Sequence, residues 1–288
     1  MVFNDTFELN NGVKIPKLAL GTWLIDDGEA AKAVEEAIKI GYRHIDTAQA
    51  YGNERGVGEG VRKSGIPREE IFVTSKVAAE NKSYESAMAS IDESTEKMGI
   101  GYIDMMIIHS PQPWVEVNQS ENRYFEENKQ VWKALEDALN AGKVRAIGVS
   151  NFLEEDLESL LPSCNMKPMV NQILAHISNT PFGLIEYCQQ KGIVVEAYSP
   201  VAHGEAMKNP IITEIAEKYG VTVPQLCIKY DLQLDLIVLP KTANPAHMKS
   251  NSELDFMISD DDMELLKNID RIKDYGNSSF FPVFGGKL

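Results

Sequence analysis

Residues 41–58 read GYRHIDTAQAYGNERGVG. A short apolar segment here ends on Asp46 and gives way to a glycine-rich loop that carries Tyr51. Two later apolar runs finish in the same manner, IFVTSK on Lys76 and YIDMMIIH on His109. Titratable groups at the ends of successive strands converge when those strands are parallel neighbours. A (β/α) barrel gathers its chemistry on that C-terminal rim.

The rest of the chain repeats the theme. Strands are predicted at 18–21, 43–46, 71–76, 103–109, 144–149, 169–172, 193–198 and 236–240, several of them continuous apolar runs suited to burial on both faces. Amphipathic helices alternate with them: Ala30, Ala33, Val34, Ala37 and Ile38 fall on one helical face, as do Val131, Ala134, Leu135, Ala138 and Leu139. Gly41, Gly99, Gly142 and Gly192 mark helix ends just ahead of strands. Eight βα units with no linker predict an α/β fold, a single (β/α)8 TIM barrel domain over residues 1–288. An open doubly wound sheet would normally carry GxGxxG after its first strand, and none is present. Asn10, Asn11 and Gly12 predict the turn of an N-terminal β-hairpin that plugs the barrel's bottom. An extra helix is expected at 258–269, followed by an aromatic-rich tail at 275–288.

Composition narrows the function. Lys and Arg total 28 against 43 Asp and Glu, a net charge of −15, which disfavours nucleic acid and anionic membranes as partners. No run approaches the roughly 20 apolar residues of a membrane span, and the N-terminus lacks the basic and apolar regions of a secretory signal. Cys164, Cys188 and Cys227 are odd in number and form no CxxC, so reduced, space-filling thiols are expected. Together these features predict a cytoplasmic protein acting on a small molecule. No self-complementary apolar patch is evident, so a monomer is expected.

Tyr51 alone is a weak acid, with a reference pKa of about 10. An ammonium beside it would stabilise the phenolate and lower that value; Lys76 is the candidate, with Asp46 holding it in place. His109 would orient a substrate oxygen next to the phenol. Such a group protonates the alkoxide that develops when hydride reaches a carbonyl carbon. Taken singly, Asp46 is more simply a helix cap and His109 a satisfied polar residue. Their joint placement on three strands favours catalysis.

The stretch 41–58, with Glu54 and Gly58, resembles the first signature of the aldo-keto reductases. RAIGVSNF at 145–152 and LPKTANPAHMKSN at 239–251 are similar to two further motifs of that family, in the same order. The resemblance implies that Asp46, Tyr51, Lys76 and His109 form the catalytic tetrad, with Tyr51 the acid in reduction. It also implies NADPH as cofactor, with NADH an alternative, bound without a Rossmann fold, and no metal. Ser150, Asn151 and Gln172 match the residues that hold the carboxamide, and Tyr198 matches the aromatic stacked beneath the nicotinamide ring. Gly21, Thr22 and Trp23 match the first-strand approach to cofactor and substrate, and Ser199 and Val201 the pyrophosphate contacts. Lys241, Thr242, Ala243, Asn244 and Asn251 fall in the segment that clamps the adenosine end.

The chain also departs from the family pattern. His247 stands where an arginine usually stacks on adenine and pairs with the 2′-phosphate, and Ser250 where glutamate is frequent. Imidazole lacks the bidentate guanidinium fork, so preference for NADPH over NADH is expected to fall by about one to two decades. Ala78 and Ser110 replace large aromatics of the substrate pocket, leaving Trp23 and Trp114 as its candidate walls, with Tyr51 and His109 at its base. A wider cavity suited to bulkier aldehydes or dicarbonyls follows. Phe280, Phe281 and Phe284 read equally as lid aromatics or as anchors of the terminus. A cofactor-binding regulatory barrel with negligible turnover is the main rival reading; an aldolase using Lys76 as a Schiff-base lysine is another.

Overall fold

The structure, a computed structural model, describes residues 2–284. A hairpin of β1 (Thr6–Glu8) and β2 (Lys14–Pro16) precedes eight parallel strands. These are β3 (Leu20–Gly21), β4 (His44–Asp46), β5 (Phe72–Val77), β6 (Ile103–Ile108), β7 (Val144–Ser150), β8 (Val170–Leu174), β9 (Val194–Tyr198) and β10 (Ile237–Leu239), hydrogen-bonded in sequence order. The ring closes between its first and last strands. Ala19 N–H donates to the Val238 carbonyl at 3.0 Å, Gly21 N–H to Pro240 at 3.0 Å, and Val238 N–H to Lys17 at 2.8 Å. The predicted strands all form, with ends shifted by no more than two residues: β3 and β10 are shorter than expected, while β5, β7 and β8 run one or two residues further.

The hairpin does sit at the bottom. Asn11 donates to the Arg145 carbonyl at the start of β7 (2.9 Å), while Leu9 and Ile15 join the main core. Helices α1 (Asp27–Ile40), α2 (Glu54–Lys63), α3 (Tyr84–Met98), α4 (Phe125–Asn140), α5 (Glu154–Leu160) and α6 (Phe182–Gln190) each follow one strand. The regular count then changes. Two helices follow β9, α7 (Pro210–Lys218) and α8 (Val223–Gln233), and two follow β10, α9 (Pro245–Ser252) and α10 (Asp260–Lys267). The second helix after β10 was expected; α7 was not, although Asn209 and Pro210 carry its start signal. Asn209 Oδ1 accepts from the Ile211 and Ile212 amides, and Pro210 occupies the first turn, where its missing N–H costs nothing.

The signature glycines and Glu54 are explained by how α2 is seated. A Cβ on Gly58 would overlap the Met98 carbonyl at the end of α3, and one on Gly56 would overlap the Asp27 carbonyl of α1. Only a bare backbone lets three helices approach this closely. Glu54, buried at the start of α2, accepts from Ser75 Oγ at 2.6 Å and ties the helix to β5. Its position places a carboxylate at the positive end of the helix dipole. A second apolar cluster joins α7, α8 and the C-terminal segment through Ile212, Leu226, Tyr230, Tyr275 and Phe284.

Candidate active site

The strand register delivers three of the four predicted groups to one place. Asp46 ends β4, Lys76 lies near the end of β5, and Tyr51 follows in a 3-10 turn (Gln49–Tyr51). Lys76 is fully buried, and its Nζ donates to Asp46 Oδ1 at 2.6 Å, the Thr47 carbonyl at 2.8 Å and Tyr51 Oη at 3.3 Å. His109, just beyond β6, meets the Tyr51 ring edge-on with centroids 5.6 Å apart.

Burial disfavours the Lys76 charge, but Asp46 and Tyr51 outweigh it, so its pKa rises and it stays an ammonium. Tyr51 departs from the expected direction. Burial raises its phenol pKa more than Lys76 lowers it, and the resting group is held as the protonated donor. Burial, with Lys76 nearby, drives His109 well below its ordinary value. The imidazole is therefore neutral. Neither of its ring nitrogens has a hydrogen-bond partner among the described residues, and Nδ1 is enclosed, so Nε2 is left for a ligand at the cleft.

A cleft of about 1060 Å³ runs from this cluster to α9. Gly21, Trp23, Asp46, Tyr51, His109, Trp114, Ser150, Asn151, Gln172, Tyr198, Ser199, Val201, Lys241, Thr242, His247, Ser250 and Asn251 line it. Lys76 lies beneath its floor. Thr22 is buried behind it, donating from Oγ1 to the Asp46 carbonyl at 2.9 Å. Ala243 and Asn244 are outside the lining; Asn244 caps α9 by accepting from Ala246 N–H at 2.9 Å. Ser110 is not brought to the cleft either. It is fully buried, its hydroxyl accepting from Gln112 N–H and its carbonyl from Lys82 Nζ at 2.9 Å. Lys82 has its pKa pulled down to about 7 by burial. Ala78 also lies away from the cleft, its amide donating to Gln49 Oε1 at 3.0 Å.

Much of the floor is internally braced. Asn151 donates to the His109 carbonyl and Ser150 Oγ, both at 3.0 Å, and accepts from Tyr198 Oη at 2.7 Å. Those bonds hold the Tyr198 ring as one wall. Asn53 steadies the Trp23 loop by donating to the Thr22 and Ile25 carbonyls, each at 2.9 Å, and accepting from Thr47 Oγ1 at 2.7 Å. The tail divides the roles left open for its phenylalanines. Phe281 lines the cleft and meets Trp23 at 4.6 Å between centroids, Phe284 is buried against Tyr275 at 4.4 Å, and Phe280 is exposed. The last four residues of the expected tail lie outside the described residues.

Several lining residues were not anticipated. Leu24, Ala50 and Met207 are apolar loop positions with no distinguishing pattern. His203, in the 3-10 segment Ala202–Lys208, is held between Trp23 and Phe284 and shares hydrogen bonds with Ser199 Oγ and Ser278 Oγ. Glu196, below the floor, had a readable signal: it stands two residues before Tyr198 on the same strand face.

An eight-stranded parallel barrel with a lysine-linked phenol and a neutral imidazole at its rim defines a carbonyl-reducing oxidoreductase. The chain belongs to the aldo/keto reductase family, which residues 17–271 match. It is 40% identical over 269 residues to the glyoxal reductase of Bacillus subtilis (strain 168), spanning 93% of each chain. Among solved structures it resembles an aldo/keto reductase from Brucella melitensis, with a TM-score of 0.85, 37% identity, and coverage of 92% of this chain and 99% of that one. It also resembles a Bombyx mori aldo-keto reductase in complex with NADP, with a TM-score of 0.84, 30% identity, and coverage of 98% and 99%. The protein is thus an enzyme that reduces carbonyl groups with a nicotinamide cofactor. The cleft fits such a group: it is long, has an aromatic wall in Tyr198, and presents Lys241 with no acidic partner among the described residues. No helix among the described residues is long and apolar enough to cross a membrane.

Proposed function

We propose that this enzyme uses NADPH to reduce small uncharged aldehydes and dicarbonyls, with Tyr51 as the proton donor. The observation that carries this reading is the Lys76 ammonium, shared among Asp46, Thr47 and Tyr51 under the cleft floor. The cofactor supplies hydride when bound; the protein's part is to place the carbonyl and deliver the proton. Neutral His109 offers Nε2 to the carbonyl oxygen, which fixes its approach to the Tyr51 hydroxyl. As negative charge grows on that oxygen, Tyr51 gives up its proton and Lys76 stabilises the phenolate left behind. Asp46 keeps the ammonium in place throughout.

Trp23, Trp114 and Phe281 provide an apolar substrate wall. Among the described lining residues the sole Lys or Arg is Lys241, in the segment leading to α9, and Lys76 beneath the floor is already paired with Asp46, so no cation facing the cleft near Tyr51 recruits a carboxylate. The similarity to a glyoxal reductase supports the dicarbonyl preference. Gln172, Asn151 and Ser150 serve the carboxamide in this reading, and Lys241, Thr242 and His247 the adenosine end.

The test follows absorbance at 340 nm with NADPH, then NADH, against glyoxal, methylglyoxal and an aromatic aldehyde. Turnover by the wild type and a loss of about 10²–10⁴ in kcat for Tyr51→Phe, with cofactor Kd unchanged, is the expected result. Cofactor binding without turnover on any substrate would reject the reading in favour of a regulatory barrel. Unimpaired turnover in the variant would remove Tyr51 as the donor.

A further inference from the structure

Glu196 is completely buried on β9, in register with Gln172 on β8. Gln172 Nε2 carries two hydrogens, and the structure spends both on carboxylates. One goes to Asp46 Oδ2 at 2.9 Å and the other to Glu196 Oε2 at 2.8 Å. Glu196 Oε1 is enclosed and has no partner among the described residues. A buried carboxyl with one oxygen unmatched is costly, and an apolar side chain would fill the barrel without that cost.

The geometry of an amide explains what the carboxyl does. The carbonyl and amino ends of glutamine are nearly equal in size, so a half-turn of the group exchanges acceptor for donor. Asp46 alone could hold one hydrogen while leaving the orientation soft. With acceptors on two sides, only one orientation satisfies both hydrogens, and the remaining polar atom, Oε1, is the one available to the cleft that Gln172 lines. Glu196 performs this without unbalancing the site's charge. The one ammonium below the floor, Lys76, belongs to Asp46, and burial together with Asp46 pushes the Glu196 carboxyl up to about 7. A protonated carboxyl keeps an oxygen free to accept from Gln172.

We propose that Glu196 is a positioning residue that locks the Gln172 amide so that the cleft presents a carbonyl acceptor to the carboxamide N–H of the nicotinamide. The inference rests on the nicotinamide reading above and adds to it the residue that orients the reader. Nothing in it requires Glu196 to touch the cofactor.

The test is direct binding, by quenching of intrinsic tryptophan fluorescence, of NADP+ and of its 3-acetylpyridine analogue, whose methyl ketone has no N–H to donate. Wild type should bind NADP+ about tenfold more tightly than the analogue, the difference of one well-made hydrogen bond. Glu196→Gln, which can still turn an oxygen toward Gln172, should keep that ratio. Glu196→Leu should bring it close to one by weakening NADP+ while leaving the analogue unchanged; the nearly isosteric Glu196→Met gives the same comparison should the leucine variant not fold. An unchanged ratio in the apolar variants would overturn the proposal, as would a wild type that binds both dinucleotides equally. A wild type that binds NADP+ with this ratio but reduces no carbonyl would sink the proposed activity while supporting the role of Glu196. A wild type that binds neither would overturn both.

Discussion

Lys76 shows how much of the proposed chemistry depends on one buried charge. Its ammonium is fully enclosed, so removing Asp46, its one ionic partner among the described residues, would leave an unmatched charge rather than a missing contact. Glu196 presents the opposite case, an acid held near neutrality by burial. Its pKa is about 7 in the folded protein against 4.5 ordinarily. Between those values the folded state holds a proton that the unfolded chain has released, so this group's contribution falls as pH rises from 4.5 to 7 and is flat above. Glu196→Gln should therefore raise thermal stability at pH 8, by up to about 3 kcal/mol, and the gain should vanish below pH 4.5. Melting curves of both proteins across that range check the sign. At the adenosine end, His247→Arg restores the bidentate fork and should raise the kcat/KM ratio of NADPH over NADH by about tenfold. A wild-type preference already above a thousandfold would mean that His247 costs nothing.

Elements place these residues, and their legibility in the sequence followed burial. Strands β5 and β6 are enclosed on both faces and read as apolar runs. The clustering of Asp46, Tyr51, Lys76 and His109 was legible because each closes such a run or follows one in the next loop. What escaped depended on contacts across the barrel: Glu196 meets Gln172 from the neighbouring strand, and Gln172 meets Asp46 from the far side of the ring. Ser110 looked like pocket lining because it follows His109, but successive residues there face apart, and Lys82 holds its carbonyl away from the cleft. Helix α7 escaped because a strictly alternating count leaves no room for a second helix after β9. The turn between β4 and α2 makes the element-scale prediction. Asn53→Ala removes three buried hydrogen bonds, two that join the Trp23 loop to this turn and one to Thr47 within it. It should cost about 2–4 kcal/mol and raise KM for carbonyl substrates more than it lowers kcat, measured by chemical denaturation and steady-state kinetics.

At the scale of the whole molecule, the C-terminal segment crosses the rim and splits its duties between neighbouring phenylalanines. Phe281→Ala should raise KM for aromatic aldehydes several-fold with little change in Tm, since its ring faces Trp23 in the cleft. Phe284→Ala empties a buried site between Tyr275 and His203 and should cost about 3 kcal/mol, a fall of several degrees in Tm. Equal effects from the two variants would contradict this division of labour.

The seam between β3 and β10 bears on how the chain is made. Its hydrogen bonds join strands from opposite ends of the sequence, so the ring stays unsealed until the ribosome has released the last strand. Until then β3 offers a bare strand edge, open to pairing with another nascent chain. Gly21 sits on that edge with its carbon skeleton pared to the backbone, close to the Leu239 carbonyl that arrives last. Closure is thus a late, non-local event of the kind that sets folding speed, and the yield of active enzyme in a cell would be governed by how long the half-built ring is shielded from its neighbours.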